Sequence, residues 1–417
     1  MKRVGLIFLV GALLVLFNMS RPAAFHSGGV AECNGCHSMH NPAPNGSALL
    51  VGTDASSTCL TCHMSPGDTA PRSYHIATPT ADMPAGTPPI QRSPGGDFGW
   101  LAKTYSWVPR TGAATEYSYG QAHGHNIVAV DTTEFALPDP DNTLAPGGTF
   151  PSSQLGCQSC HDPHGRVRRR SDGSYATAAT LGGTAEPIIG SGSTGAIPAA
   201  GLAVGTYRLL RGLGDATQSA TFAGVAVAVA PSTYNQSEAV NQVRVAYGHD
   251  AGNTWGNWCG SCHPDMHSAG GNYVHPVDEA LSQGNVNNIY NAYVASGNLS
   301  GTAATSFLSL VPFAENTGAI ATLASHASNS GAYLNGPASS DRVTCLSCHR
   351  AHASGFDHML RWNMGNEFMV FNGSYIGSAG VAQGRTVGEM TAAYYDRPAT
   401  QFATYQRVLC NKCHAQD

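Results

Sequence analysis

The sequence predicts a loop-rich domain of short helices with very little strand, and three observations lead to that prediction. The 417 residues include 49 glycines and 24 prolines, which favour turns over long regular elements. Charged residues make up only 11%, too few for a charged helical bundle or a highly charged disordered tail. The third observation is the motif Cys-x-x-Cys-His, which occurs six times. Something other than long helices or sheets must therefore organise the core.

The six motifs account for all twelve cysteines. Two thiols separated by two residues can each form a thioether to one edge of the same porphyrin, and the histidine that follows then reaches the iron. Disulfide scaffolds and zinc ribbons also use paired cysteines, but neither requires a histidine directly after each pair. We therefore predict six covalently attached haem c groups. The attaching cysteines are Cys33, Cys36, Cys59, Cys62, Cys157, Cys160, Cys259, Cys262, Cys345, Cys348, Cys410 and Cys413, and the proximal ligands are His37, His63, His161, His263, His349 and His414.

Six haems would supply much of the apolar interior, because only about 65 residues of the mature chain accompany each one. The predicted fold class is a multihaem c-type cytochrome, mostly loops and turns with short helices and very little strand, packed around a chain of six haems. We expect a short helix at many of the motifs and a short strand within residues 221–231.

The N-terminus has the pattern of a secretory signal peptide over residues 1–24. A positive n-region at Lys2 and Arg3 precedes an apolar run, and small residues end the segment at Ala24. The apolar run is short for a membrane span, so an uncleaved anchor is the less favoured interpretation. We expect residues 25–417 to form a single exported hexahaem cytochrome domain, with no transmembrane segment in the mature chain.

The mature chain is acidic, which bears on its partners. Loss of residues 1–24 removes three cationic side chains and takes the formal charge from −5 to −8. A polypeptide this acidic is a poor ligand for nucleic acid, so we expect no nucleic-acid partner. The one basic run, RVRRR at residues 166–170, we expect to neutralise haem propionates.

Bis-histidine ligation needs a second histidine for each iron, and four motifs carry one close by. Motifs one, three and five read CHSMH, CHDPH and CHRAH, and the fourth reads CHPDMH. Such a histidine sits about one helical turn along a segment that lies wholly beneath its own porphyrin. It can therefore serve only a neighbouring haem, and the alternation of motif types suggests three haem pairs. We expect these four histidines to bridge haems: His40, His164, His352 and His267.

Other histidines are weaker candidates when each is taken alone. We expect the remaining distal ligands to come from His26, His75, His125, His275 and His326. We interpret three more as non-ligands: His123, His249 and His358. Methionines also lie near the motifs, but methionine more often packs and histidines are in excess, so we favour bis-histidine ligation throughout.

Ten longer stretches are specific enough to indicate a family: FHSGGVAECNGCHSMHN (25–41), ADMPAGTPPI (81–90), GGDFGW (95–100), GHNIVA (124–129), CQSCHDPHG (157–165), APSTYN (230–235), RVAYG (244–248), CLSCHRAHASGFD (345–357), EMTAAYY (389–395) and YQRVLCNKCHA (405–415). Through them the chain resembles the hexahaem outer-surface cytochromes of metal-reducing bacteria, over nearly the whole mature sequence. The match is poorest in the Gly/Ala/Ser/Thr-rich residues 171–224.

The resemblance implies head-to-tail polymerisation into filaments with a continuous chain of bis-histidine haems. Such filaments would sit at the outer cell surface and carry electrons to extracellular metal oxides, electrodes or partner cells, with other redox cytochromes as partners. In that family the histidine that matches His40 crosses the subunit boundary and ligates the fifth haem of the next protomer. Here that haem would be attached to Cys345 and Cys348.

Two other functions stay open at this point. A monomeric periplasmic electron carrier would use the same ligation, although His40, near the N-terminus, has few neighbours within its own chain. A multihaem oxyanion reductase would need one five-coordinate iron, often at a motif in which lysine replaces the histidine. Because all six motifs are regular and distal histidines are in excess, we expect an electron-transfer protein with no catalytic residues rather than an enzyme.

Overall fold

The structure is a computed structural model that describes residues 33–44, 47–66, 74–109, 111–177, 186–250, 252–267, 276–377 and 384–414. The predicted signal peptide lies outside the described residues, as do His26 and His275. Within the described ranges no helix is long and apolar enough to cross a membrane.

The helices of the described chain are short, as the fold class predicts. Their bounds are Cys33–Cys36, Ala55–His63, Cys157–Cys160, Trp255–Gly260, Pro264–His267, Val286–Ala292, Ile320–His326 and Val387–Ala393. Three begin with side-chain caps that the sequence supplies: Asp54 accepts from the Ser57 backbone N–H at 2.8 Å, Thr254 accepts from the Asn257 backbone N–H at 3.0 Å, and Thr386 forms a capping box with Glu389.

Each haem motif lies on a helical turn, which confirms the expectation of a short helix at many of them. Four motifs use the helices that contain Cys33, Cys59, Cys157 and Cys259. The fifth and sixth use 3₁₀ turns at Cys345–Ser347 and Leu409–Lys412. A single helical turn places both thiols of a pair on one side of the backbone, which is what two thioethers to one porphyrin require.

The strands of the described residues have two to four residues each and form small separate sheets. They are β1 Tyr105–Trp107, β2 Glu116–Ser118, β3 Arg168–Arg170, β4 Tyr175–Ala176, β5 Ala203–Gly205, β6 Ala228–Val229, β7 Ala246–Gly248, β8 Ala314–Glu315, β9 Phe368–Phe371, β10 Ser374–Tyr375 and β11 Gln406–Arg407. The sheet orders are β1-β2, β4-β3-β5, β6-β7-β8 and β10-β9-β11, antiparallel except for β7 with β8. Of the strand expected in residues 221–231, only β6 forms.

One local structure is repeated after the first, third and fifth motifs. The proximal histidine pairs as an isolated antiparallel bridge with a leucine downstream: His37 with Leu50, His161 with Leu210, and His349 with Leu360. A backbone hydrogen bond of 2.8–2.9 Å then joins the residue after that leucine to the second cysteine of the motif. These three units, which we call modules 1, 2 and 3, share one backbone plan.

The bridge corrects one expectation about the odd-numbered motifs. Their Cys-x-x-Cys helix ends at the proximal histidine, so the CHxxH extension is not a helical turn. The physical reason is competition for backbone hydrogen bonds: the N–H of Ser38, Asp162 or Arg350 donates to the downstream loop at 2.7–2.8 Å instead of to its own turn. Only in the fourth motif does the extension form a helix, Pro264–His267.

A main apolar core packs around Trp362, Tyr394, Met390 and Leu310, all fully buried. A second cluster surrounds Trp255 and reaches β6 and β7. Partly buried motif cysteines line the edges of both, so the haem attachment sites lie at the margins of the protein core.

The fold predicts that Gly96→Ala destabilises the protein strongly. Gly96 has φ +94°, and a Cβ built there would lie 1.7 Å from the carbonyl oxygen of Ala353. Strain and displaced backbone should together lower the free energy of unfolding by about 3 kcal/mol. Thermal unfolding, monitored by circular dichroism, measures this loss of stability.

Gly112→Ala is the matched control, since Gly112 has φ +80° with nothing within 4 Å of an added Cβ. This substitution should lower the free energy of unfolding by only about 1 kcal/mol, the cost of a left-handed backbone conformation for alanine. Equal losses at the two positions would contradict the close approach between residues 96 and 353.

Candidate haem-binding site

Five of the six proximal histidines are held by the same kind of hydrogen bond. In each, Nδ1 lies 2.6–2.9 Å from a backbone carbonyl oxygen, which can only accept. Nδ1 must therefore carry the proton, and the lone pair lies on Nε2, the nitrogen that binds iron. The pairs are His37 with Ala48, His63 with Tyr74, His161 with Arg208, His263 with Pro146, and His349 with His358.

In modules 1, 2 and 3 the accepting carbonyl belongs to a residue in the left-handed region of backbone space. Ala48, Arg208 and His358 have φ of 54°, 52° and 59°, and the residue after each is also left-handed. Two consecutive left-handed residues other than glycine are uncommon, and such conformations concentrate where function requires them. Here they turn a carbonyl toward the imidazole.

Three predicted distal histidines each face a predicted proximal one. The ring centres are 6.4 Å apart for His37 and His164, and 6.3 Å apart for His161 and His352. The third pair, His263 and His125, has ring centres 6.2 Å apart. Two axial nitrogens at about 2 Å from one metal, plus the half-width of each ring, give a separation of about 6 Å. The spacing of all three pairs therefore suits an iron between the rings.

Two of the distal rings are oriented like the proximal ones. His125 donates from Nδ1 to the carbonyl of Ala351 at 2.8 Å, and His352 lies 3.3 Å from the carbonyl of Gly96. Burial, and then the facing His263, lowers the pKa of His125 to about 4. Burial, and then His161, lowers the pKa of His352 to about 3. Both rings are neutral at physiological pH, which is the form that ligates iron.

Thiols of consecutive motifs lie next to one another along the whole chain. Cys59 hydrogen-bonds to Cys157, which raises the pKa of Cys59, and Cys345 does the same for Cys259. Burial and then the neighbouring Cys262 raise the pKa of Cys160 to about 12. Burial, and then a neighbouring thiol, also raises the pKa of two other cysteines: Cys36, which lies beside Cys62, and Cys348, which lies beside Cys413. The six motifs thus follow one another in space in the order of the sequence, and none of the twelve cysteines is in a disulfide.

The remaining predicted ligands have varied surroundings. His40 is exposed, and His75 is buried beside Tyr74, with ring centres 4.5 Å apart. His267 places Nε2 at 3.1 Å from the Asp278 carboxylate. His326 places Nδ1 at 2.5 Å from Glu315 and stacks on Tyr333. The roles of these four histidines as ligands stay predictions.

The role predicted for the basic run at residues 166–170, the neutralisation of haem propionates, stays a prediction. Arg168 and Arg169 donate to backbone carbonyls, and Arg170 pairs with Glu186 at 2.8 Å. Oxygen atoms of the protein therefore already accept hydrogen bonds from the guanidiniums of Arg168, Arg169 and Arg170. Buried guanidinium nitrogens without a hydrogen-bond partner occur instead on other arginines: Arg208, Arg244, Arg342, Arg350 and Arg385.

These features fit haem c. The motifs present paired thiols, the proximal rings direct Nε2 outward, and ring pairs are spaced for a six-coordinate iron. Unpartnered buried guanidinium nitrogens are suited to propionate oxygens. Sequence reasoning missed the carbonyls of Ala48, Arg208 and His358. Their only sequence signal is the dipeptide Leu-Leu or Met-Leu that follows, at a variable distance from the motif.

No protein-family model matches the chain. The c-type cytochrome OmcS of Geobacter sulfurreducens is 48% identical over 446 aligned residues, which cover 100% of this chain and 99% of that protein. Solved structures that match include an outer membrane cytochrome S filament of Geobacter sulfurreducens, with TM-score 0.82 and 47% identity. They also include the OmcS nanowires of that organism determined by cryo-EM, with TM-score 0.84 and 48% identity. Both comparisons cover 94% of this chain and 100% of the solved chain. With identity at this level along its full length, the chain belongs to the OmcS family of c-type cytochromes.

Proposed function

We propose that this protein is a hexahaem cytochrome that polymerises at the outer cell surface and conducts electrons to extracellular acceptors. Metal oxides, electrodes and partner cells are the acceptors that fit, and other redox cytochromes would supply the electrons. The observation that carries the proposal is the register of the facing histidine pairs along the three modules.

The chain's own residues would hold the six cofactors in one series. Each Cys-x-x-Cys pair would form two thioethers, and each proximal histidine would present Nε2 to iron. When bound, haem c supplies a one-electron ferric/ferrous couple at each motif. Because thiols of consecutive motifs are neighbours, the protein would fix six such centres in sequence order.

The facing histidines follow a rule that relates each module to the next. The distal histidine of module 2, His164, faces the proximal histidine of module 1, His37. The distal histidine of module 3, His352, faces the proximal histidine of module 2, His161. Each module therefore supplies the second ligand of the module before it.

At the two ends of one chain this rule leaves unmatched groups. His40, the distal histidine of module 1, has no earlier module to serve and is exposed. His349, the proximal histidine of module 3, has no later module within the described residues. A second copy placed by the same rule would bring His40 to the haem of His349. We infer that this contact joins protomers, and that the interface is heterologous and does not close.

His263 with His125 would complete the fourth haem within one chain. Distal ligands for the second and sixth haems would come from the other candidates, namely His26, His75, His267, His275 and His326. Ligation of every iron by two histidines leaves no open coordination site for an oxyanion, so we propose electron transfer rather than enzymatic reduction.

The first test is His40→Ala. All six haems should remain attached, because no thioether is touched, but filaments should be lost because the second ligand of the fifth haem is gone. Negative-stain electron microscopy and haem quantitation measure the two outcomes. Met39→Ala, which truncates the exposed neighbour of His40, is the control and should still polymerise. Normal filaments from His40→Ala would contradict ligation across the boundary.

The second test separates pairing within the chain from pairing across protomers. In His164→Ala the first haem loses a ligand supplied by its own protomer, so a high-spin ferric signal should come from about one haem in six in filaments and from about two in six in dissociated protein, where the fifth haem has lost its ligand as well. The unchanged protein should show no high-spin signal in filaments and a signal from about one haem in six on dissociation. Electron paramagnetic resonance measures both.

His358→Asn is the control for this test, since His358 is exposed and its left-handed φ of 59° suits asparagine. It should show no high-spin signal in filaments. If His164→Ala likewise showed none, the pairing of His164 with the first haem would be wrong.

A further inference from the structure

A buried polar cluster that contains no residue of a haem motif is centred on His123. This histidine is fully buried, and its Nδ1 is 3.0 Å from the carbonyl of Trp100. Its Nε2 is 2.7 Å from the hydroxyl of Ser118 and 3.3 Å from the carboxylate of Asp357. Both ring nitrogens therefore face protein groups, Nδ1 the Trp100 carbonyl and Nε2 the side chains of Ser118 and Asp357.

Ser118 is the hub of this cluster. Its hydroxyl donates to Asp357 at 2.6 Å and accepts from Arg385 at 3.0 Å. Arg385 also donates to the carbonyl of Gly355 at 2.9 Å, and its guanidinium lies over the ring of Tyr105. We call Ser118, His123, Asp357 and Arg385 the His123 cluster. It ties the segment of Ser118 and His123 to two segments, those of Asp357 and Arg385, that lie more than 200 residues later in the sequence.

The backbone on either side of the cluster carries axial histidines. Asp357 directly precedes His358, whose carbonyl accepts from Nδ1 of His349 at 2.7 Å. The carbonyl of His123 itself accepts from Ser354 at 2.9 Å, and Gly124 pairs with Ala353.

The pairing of Gly124 with Ala353 also fixes the backbone of His125 and His352, each of which belongs to one of the facing ring pairs. The His125 backbone N–H donates to the carbonyl of His352 at 2.9 Å, and the His125 ring donates to the carbonyl of Ala351 at 2.8 Å. The positions of both rings therefore depend on how residues 123–125 lie against residues 351–354.

Module 3 contributes Asp357 to the cluster. The residue that corresponds to Asp357 in module 2 is Tyr207, whose ring packs edge-on against Trp255 and whose hydroxyl accepts from Arg208 at 2.8 Å. Module 3 is the one whose proximal histidine would take its second ligand from another protomer. Its loop must hold His349 in place before that ligand arrives.

We propose that the His123 cluster positions the axial imidazoles of three consecutive haems, the third, fourth and fifth. The imidazoles concerned are those of His352, His125 and His349. The cluster acts through the backbone and not through contact with a cofactor, so its members are positioning residues. This inference rests on the proposed haem ligation and deepens it.

The test is Ser118→Ala, which deletes the hub hydroxyl and leaves every predicted ligand in place. The g-values of low-spin ferric haem depend on the angle between the two axial imidazole planes. In electron paramagnetic resonance of the filaments we expect shifted g-values for about three of the six haems, with haem content unchanged.

Ser309→Ala is a matched control elsewhere in the core. Its hydroxyl is also buried between a carboxylate, Glu238, and a guanidinium, Arg397, but no histidine takes part. Ser309→Ala should leave all g-values unchanged. Equal spectra for the two variants would overturn the inference.

Asp357→Asn provides a second variant in case Ser118→Ala does not fold, because the Asp357 side chain is 45% exposed. It should shift the same subset of g-values by a smaller amount, and an unshifted spectrum would count against the inference. Failure of the ligation itself would look different, since the unchanged filaments would then show high-spin haem.

Discussion

The hydrogen bond from Nδ1 of a proximal histidine to a backbone carbonyl is the interaction on which the rest of this structure depends. It fixes the tautomer and directs Nε2 to the haem side. In the three modules it requires two consecutive left-handed residues, each at a cost of about 1–3 kcal/mol. The bridge between the proximal histidine and a downstream leucine, with its flanking backbone hydrogen bonds, offsets that strain. The loops are therefore irregular, because each must return to its motif at one particular angle.

The distal histidines of modules 2 and 3, His164 and His352, each face the proximal histidine of the preceding module, so the series has a direction. Under the proposed ligation, a single chain would leave the iron of His349 to take its second ligand from another copy. Interfaces with a direction propagate rather than close, unless the rotation between copies returns to the start. The same geometry that joins modules inside the protein would then join proteins, and the boundary between protomers would be one more module junction.

Much of the site could be predicted from local sequence. The cysteines and proximal histidines lie within five consecutive residues, so spacing alone defines their chemistry. The prediction that His164 and His352 bridge haems followed from their spacing after the proximal histidine, on a segment expected to lie beneath its own porphyrin. What could not be predicted depends on contacts distant in sequence. The carbonyl that holds His161 belongs to Arg208, after a loop of 46 intervening residues, while that for His37 belongs to Ala48.

The helical extension expected after the odd-numbered motifs was wrong for the same reason. Local periodicity placed His40, His164 and His352 one helical turn along, but long-range backbone hydrogen bonds to the module loop end the helix at the proximal histidine. The His123 cluster had no sequence signal either, because His123 and Asp357 meet only in the folded chain.

Cryo-EM of the assembled, haem-loaded filament at a resolution that shows axial ligands tests the central claim most directly. The account predicts iron between His37 and His164, between His161 and His352, and, at each protomer boundary, between His349 and His40 of the next protomer. A fifth haem whose second ligand comes from its own chain would contradict the module rule and the polymer that it implies.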